Sequence, residues 1–184
     1  MLTFDPEKHH YFWNGKRVPG VNEIIKTVGL GRNYESVDSF YRDRGIATHK
    51  AIQLYLKGTL DESTLDPVIV PYFNQAKTCI DKNLKGTKYE AEVMKYSEFH
   101  EYAGTLDLVV SHIIYDWKCT KSVDPIAEIQ GALYKNIISS QDGEYDFRVM
   151  QLDGTDGPVK EIHYDASIDL AEAVLTLYRK WKKK

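Results

Sequence analysis

Three charged side chains, Asp107, Asp116 and Lys118, stand at spacings that can do chemistry together. Asp107 belongs to a run in which Leu106, Leu108 and Val110 alternate with Thr105, Asp107 and Val109. Asp116 and Lys118 belong to a second run in which Ile113, Tyr115 and Trp117 alternate with Ile114, Asp116 and Lys118. Alternation with a period of two on both sides of Ser111-His112 predicts two strands joined by a tight turn. A two-residue turn pairs Val110 with Ile113 and, counting outward, Asp107 with Asp116. Two carboxylates then face each other with Cβ atoms roughly 5 Å apart, and Lys118, two residues beyond Asp116, shares their face. Like charges opposed across a ladder destabilise it, so a positive partner is required. A divalent cation is the economical one. Mg²⁺ is often held by one or two carboxylates plus substrate phosphate oxygens. A lysine beside such a site can orient a water or offset charge on phosphorus. The arrangement suits hydrolysis of a phosphodiester, although an Asp-x-Lys pair alone is more often the mark of a solvated salt-bridge ladder.

The surrounding elements must place these groups. Lys88 to Tyr96 reads as a preceding strand, and a loop centred between Phe99 and His100 pairs Glu92 with Asp107. Glu92, Asp107 and Asp116 then form one row across three antiparallel strands. Glu90 is the alternative acid on that strand. Upstream, Asn14-Gly15 signals a type I′ hairpin within Tyr11 to Val18, and Val21 to Val28 reads as a short helix. Residues 1–30 are thus expected to form a small hairpin/helix appendage to a single domain spanning 1–184. A longer helix from Ser36 or Ser39 to Lys57 contains Gly45 and, one turn on, His49. A further helix spans Pro67 to Asn83 behind Asp66. Asp124-Pro125 opens another, running to Ile138, with Gln130 and Tyr134 at i and i+4. Two more strands, Tyr145 to Leu152 and Val159 to Tyr164, precede a last helix, Ile168 to Lys182. Ser167 caps it, and its expected apolar stripe is Leu170, Val174, Leu177, Tyr178 and Trp181. This order is α/β (α+β), with a central mixed sheet.

With 184 residues, the chain is long enough for one domain with a proper core. A net charge of −3 argues against whole-surface binding to nucleic acid and leaves room for a local basic track. Arg42, Arg44 and Lys50 make one such cluster. Two cysteines exclude a four-cysteine zinc or iron–sulfur site within this chain. No run approaches the length of a membrane span, and the first ten residues lack a signal-peptide pattern, so no membrane and a cytoplasmic location are expected.

Gly104-Thr-Leu-Asp107 followed by Asp116-Trp-Lys118 resembles the signature of the PD-(D/E)XK nuclease superfamily. Arg44-Gly-Ile-Ala-Thr-His49 upstream and Gln130-x-x-x-Tyr134 downstream resemble its RecB-type branch and phage-encoded exonucleases. Gly15-Lys-Arg-Val-Pro19 followed by Val21-Asn-Glu-Ile-Ile25 is also similar to the start of many phage members. The resemblance covers about residues 10 to 135, and Leu106 stands where the family's proline would. It implies a restriction-endonuclease-like core with a three-strand antiparallel meander flanked by helices. It further implies Mg²⁺ or Mn²⁺ held by His49, Asp107, Asp116 and the Trp117 carbonyl, with Lys118 and Glu92 catalytic. Gln130, Tyr134, Arg44 and Lys121 would meet DNA, either single-stranded or at a duplex end. The implied activity is a metal-dependent deoxyribonuclease, an exonuclease of phage or bacterial DNA recombination, repair or processing, with room for a recombination or replication protein as partner. The alternative is a protein on the same fold that binds nucleic acid without cutting it.

Overall fold

The computed structural model describes residues 1–31, 39–84 and 86–182. Eight strands and five α-helices follow in order: β1 (Leu2–Asp5), β2 (His10–Trp13), β3 (Lys16–Val18), α1 (Val21–Thr27), α2 (Ser39–Leu56), α3 (Val70–Asn83), β4 (Tyr89–Ser97), β5 (Tyr102–Val110), β6 (Ile113–Cys119), α4 (Ile126–Asp142), β7 (Asp146–Leu152), β8 (Lys160–Tyr164) and α5 (Ile168–Trp181). They build an α/β fold: a three-stranded antiparallel sheet β1-β2-β3 and a five-stranded mixed sheet β4-β5-β6-β7-β8. The meander β4-β5-β6 is antiparallel, and β6 and β7 are parallel, linked by α4 as a parallel pair requires.

Each face of the large sheet is covered by its own core. On one side Ile24 and Ile25 of α1, Leu133 and Ile137 of α4, and Val174 and Leu175 of α5 pack on Val109, Ile114, Phe147 and Val149. On the other, Ala51 and Ile52 of α2 and Phe73, Ala76 and Ile80 of α3 pack on Leu108, Val110, Trp117 and Leu152.

The small sheet is joined to this body. Asn14 and Gly15 both have positive φ, 49° and 81°, as a type I′ turn demands. Trp13 stacks on Tyr96 with ring centroids 4.5 Å apart, Ala103 N–H donates to the Pro19 carbonyl at 2.9 Å, and α1 sits in the main core. Among the described residues no helix is long and apolar enough to cross a membrane.

Element boundaries differ from expectation where local chemistry intervenes. Strand β1 is an addition, too short at four residues to show a period. Helix α3 starts three residues after Pro67, because Val68 and Ile69 first close a turn on Asp66. Helix α2 starts at Ser39; Ser36, the other candidate, lies outside the described residues. On α5 the buried stripe is Ala171, Val174, Leu175 and Tyr178, whereas Leu177 and Trp181 are exposed. Both sets have helical spacing, and the observed one turns Ala171 toward α4 and α1, the helices α5 packs against. Gly45 inside α2 has no close neighbour: a Cβ there would meet nothing within 4 Å. Gly45→Ala is therefore expected to stabilise the protein by about 0.5–1 kcal/mol, read as a higher urea midpoint at unchanged slope.

Candidate active site

The β5–β6 ladder pairs Val110 with Ile113, Val109 with Ile114 and Leu108 with Tyr115. That register sets Asp107 opposite Asp116, but backbone pairing stops one step short of them. There the Trp117 N–H donates instead to Asp107 Oδ2, at 2.9 Å. A carboxylate thus takes the place of a carbonyl acceptor, and the strands part at the acids. On the other flank, β4 pairs Ala91 with Leu108 and Val93 with Leu106, which sets Glu92 opposite Asp107. Glu92 itself has φ 55° and drops out of the ladder. Tight closure after Ser97, where Glu101 N–H returns to the Ser97 carbonyl and Glu101 has φ 56°, fixes this register without a good turn dipeptide at Phe99-His100.

Strict alternation fails at this row. Leu108 and Ala91 pack with α2 and α3, yet Leu106 and Val93, two residues along, pack with the opposite core. Both strands change face at Glu92 and Asp107. A left-handed residue in mid-strand is costly for a side chain as large as glutamate. The strain falls on the row of acids.

Two helices close on the row. From α2, His49 Nδ1 lies 3.4 Å from Asp107 Oδ2. From β6, Lys118 Nζ lies 2.7 Å from Asp116 Oδ2 and donates at 2.8 Å to Gln130 Oε1 on α4. Gln130 Nε2 in turn donates to the Tyr134 hydroxyl at 3.1 Å. Lys118 is thereby held between an acid and an amide whose own orientation is set by a tyrosine. Asp116 is only 3% exposed, and its Oδ2 is buried without an aligned hydrogen bond.

These contacts set the charges. Burial raises the pKa of Asp116, the facing Asp107 adds to it, and Lys118 only partly offsets them, so its carboxyl lies above the usual range. At Asp107 burial acts in the same sense, but His49, Lys118 and the Trp117 N–H outweigh it and hold its carboxyl low. Burial disfavours the charged form of His49, but Asp107 and Asp116 reverse this and raise its pKa above 6.5. Glu92 is raised by burial and by Asp107, against the pull of His49, Lys57 and Lys50. The facing carboxylates are thus pushed in opposite directions, Asp107 down and Asp116 up.

Other expected site residues take different places. Tyr134 is 6% exposed, its ring against Gly104, and has no face to offer a base. Arg44 donates to the Cys119 carbonyl at 3.1 Å and lies over the Tyr72 ring, 4.3 Å from its centroid, so its guanidinium braces the end of β6. Lys121 is exposed in the loop after β6. The Trp117 carbonyl belongs to the strand segment paired in parallel with β7 at Met150. No sequence motif marks Tyr11. It reaches the site from β2 with its hydroxyl 2.8 Å from Thr105 Oγ1, and it feels the charges of Glu92 and Asp107.

Gly104 is where close approach matters. A Cβ there would come 2.9 Å from Tyr134 Cε1 and 3.1 Å from Val21 Cγ2. Gly104→Ala should push the Tyr134 ring and, through Gln130, release Lys118. We expect a loss of about 1–2 kcal/mol in denaturant titration, and a larger loss of any site activity than of stability.

As it stands, the site holds ion pairs. Among the described residues, no three His, Cys, Asp or Glu side chains converge as ready ligands for a metal ion. His49 leans on Asp107, and Lys118 on Asp116. The groups gathered are nonetheless two carboxylates and an imidazole, with one buried carboxylate oxygen lacking an aligned hydrogen bond. That is a hard, oxygen-rich donor set of the kind Mg²⁺ or Mn²⁺ takes. A groove of about 770 Å³ lies instead at the far end of the sheet, lined by Ser111, His112, Tyr145 and Asp165 among others, away from the acids.

No family model matches the chain, and no curated protein does. Among solved structures it is similar to a protein named SSO0001, with 15% identity and a TM-score of 0.46 over 89% of this chain and 74% of that one. It is also similar to an alkaline exonuclease (LHK-Exo) from Laribacter hongkongensis, with 11% identity and a TM-score of 0.46 over 89% of this chain and 85% of that one. Likeness at this level leaves the reading of the site to its own geometry.

Proposed function

We propose that this chain is a Mg²⁺- or Mn²⁺-dependent nuclease of the PD-(D/E)XK type that hydrolyses phosphodiester bonds in DNA, acting as an exonuclease. The observation that carries the reading is the meeting of Asp107, Asp116 and Lys118 where β5 and β6 part, with His49 supplied by a helix distant in sequence. A binding module has no need to set two carboxylates face to face; a phosphodiester hydrolase does.

Asp107, Asp116 and His49 would hold the cation, with the Trp117 carbonyl beside them. When bound, the cation would neutralise phosphoryl charge and lower the pKa of a nearby water. The chain's own groups do the rest. Lys118, steered by Gln130 and Tyr134, orients the attacking water and meets the charge that builds on the phosphoryl oxygens. Glu92, whose pKa burial and Asp107 push upward, is placed to hold or accept a proton at the edge of the row. Asp107 now meets His49 and Asp116 meets Lys118, and both carboxylates would exchange these partners to hold the cation.

The test is degradation of end-labelled single- and double-stranded DNA. Activity is expected with Mg²⁺ or Mn²⁺ and none in EDTA, restored by added metal. Cleavage that persists in EDTA would remove the metal from the reading. The second reading, a nuclease-fold protein that binds without cutting, draws on the absence of three converged ligands among the described residues. DNA affinity indifferent to divalent metal, with no cleavage of any substrate, would favour it.

A further inference from the structure

The outer face of α2 carries a pattern the catalytic reading does not use. Arg42, Ile46, Lys50, Gln53 and Lys57 recur at spacings of four, four, three and four residues, so they share one side of the helix. The helical bonding reaches the last of them, since Lys57 N–H donates to the Gln53 carbonyl at 3.1 Å. Arg42, Lys50 and Lys57 are exposed, and Ile46 is 63% exposed between the first two. The only acid on the helix is Asp43, which pairs with Arg42 at 3.1 Å, with each side chain more than half exposed. Such an exposed pair is worth little and opens readily. His49 lies on the edge of the same row, seven residues from Arg42, and turns toward Asp107. Lys50 and Lys57 also lie close enough to Glu92 for their charge to act on it. A straight basic line therefore runs alongside the acids on a chain whose net charge is −3.

The geometry points to this face of α2 as the guide for one strand of single-stranded DNA entering the site, with phosphates at Arg42, Lys50 and Lys57 and a sugar or base against Ile46. The inference rests on the nuclease reading and adds the surface and the form of its substrate. The line from Arg42 to Lys57 is straight over roughly 22 Å. A strand within a duplex winds away from a straight line over that distance, whereas a free strand can be drawn along it. A basic groove with an apolar contact is how single strands are held without regard to sequence. Arg44, the arginine nearest His49 in sequence, cannot serve in its present place because it is committed to Cys119 and Tyr72.

The test measures binding of a 5′-fluorescein-labelled 20-nucleotide single strand by anisotropy, in EDTA so that no cleavage intervenes. The triple variant Arg42→Ala, Lys50→Ala, Lys57→Ala should lose at least tenfold in affinity. Its slope of log affinity against log salt should fall by about two, since each phosphate contact on a single strand contributes about 0.7. A control triple removing exposed lysines elsewhere, Lys82→Ala, Lys160→Ala, Lys180→Ala, changes net charge equally and should leave both quantities near wild type. All six substituted positions are solvent-facing, and equal melting temperatures verify the fold. A track variant that binds with wild-type affinity and slope overturns the guide while DNA cleavage by the wild type upholds the nuclease. Tighter binding of a blunt duplex than of the single strand, lost in the same variant, overturns the single-strand assignment. A wild type that neither binds nor cuts DNA overturns the nuclease reading and the guide with it.

Discussion

Asp116→Asn should abolish metal-dependent DNA cleavage, by on the order of 10³-fold or more, while leaving the metal-free protein as stable as before or more so. The two halves of this expectation have one cause. Asp116 is buried, faces Asp107, and has its carboxyl pushed above the usual range despite Lys118. A carboxyl with a raised folded-state pKa binds more protons folded than unfolded, so ionising it costs stability as pH climbs past the unfolded value near 3.8. At neutral pH an amide of the same shape removes that cost and also removes the oxygen charge a cation needs. Melting in EDTA and cleavage in Mn²⁺, run on the same preparation, separate the two effects. A variant that melts well below wild type would mean the carboxylate is structural; one that still cuts would remove Asp116 from the reaction. Lys118→Met makes the companion case. Its side chain is 28% exposed and its methylenes are kept, so the fold should hold while activity falls 10²-fold or more. Gln130→Leu should mimic part of that loss, because Gln130 acts only through Lys118 and Tyr134.

The hairpin that aligns the acids was legible in the sequence because two period-two runs flank a gap of two residues, and the observed pairs keep that register. The Glu92 register was legible for the same reason, since an even loop preserves the sum of paired positions. What a period cannot carry is its own interruption. Glu92 at positive φ and the change of face at Asp107 arise because parted strands and a carboxylate-to-Trp117 bond override alternation. The α5 stripe shows the same limit: two sets of helical positions were open, and packing selected the one with the small Ala171. Arg44 beside His49 reads as a free cation in sequence, yet the neighbours that occupy it, Cys119 and Tyr72, are 75 and 28 residues away. The Lys118–Gln130–Tyr134 chain was foreshadowed by the i, i+4 pair, but its direction, with lysine donating to the amide and the amide to the tyrosine, required the packing of α4 on the sheet.

Gly131→Ala tests that packing and should be the most damaging single methyl in the fold. An added Cβ would stand 2.1 Å from Phe147 Cδ1 and 2.5 Å from Cε1 and Cγ. Phe147 is 1% exposed, with Tyr134 and Tyr164 on either side at centroid distances of 6.5 and 6.4 Å, so its ring has no empty space to enter. Helix α4 must lift from β7, or the ring must leave its rotamer. Alanine is favoured over glycine inside a helix by about 1 kcal/mol, and overpacking a dense core costs about 1–3 kcal/mol, occasionally more. At a contact this short the second effect wins. A net loss of about 2 kcal/mol should lower the melting temperature by about 4–8 °C in a domain of this size. Because α4 carries Gln130, lifting it also slackens the hold on Lys118, and cleavage should fall at temperatures where the protein is still folded. Adding Phe147→Leu should return part of both losses, a non-additivity expected only if the two side chains collide. A melting temperature unchanged in Gly131→Ala would mean that α4 lies farther from β7 than the glycine implies, and that Lys118 is steered by something other than this helix.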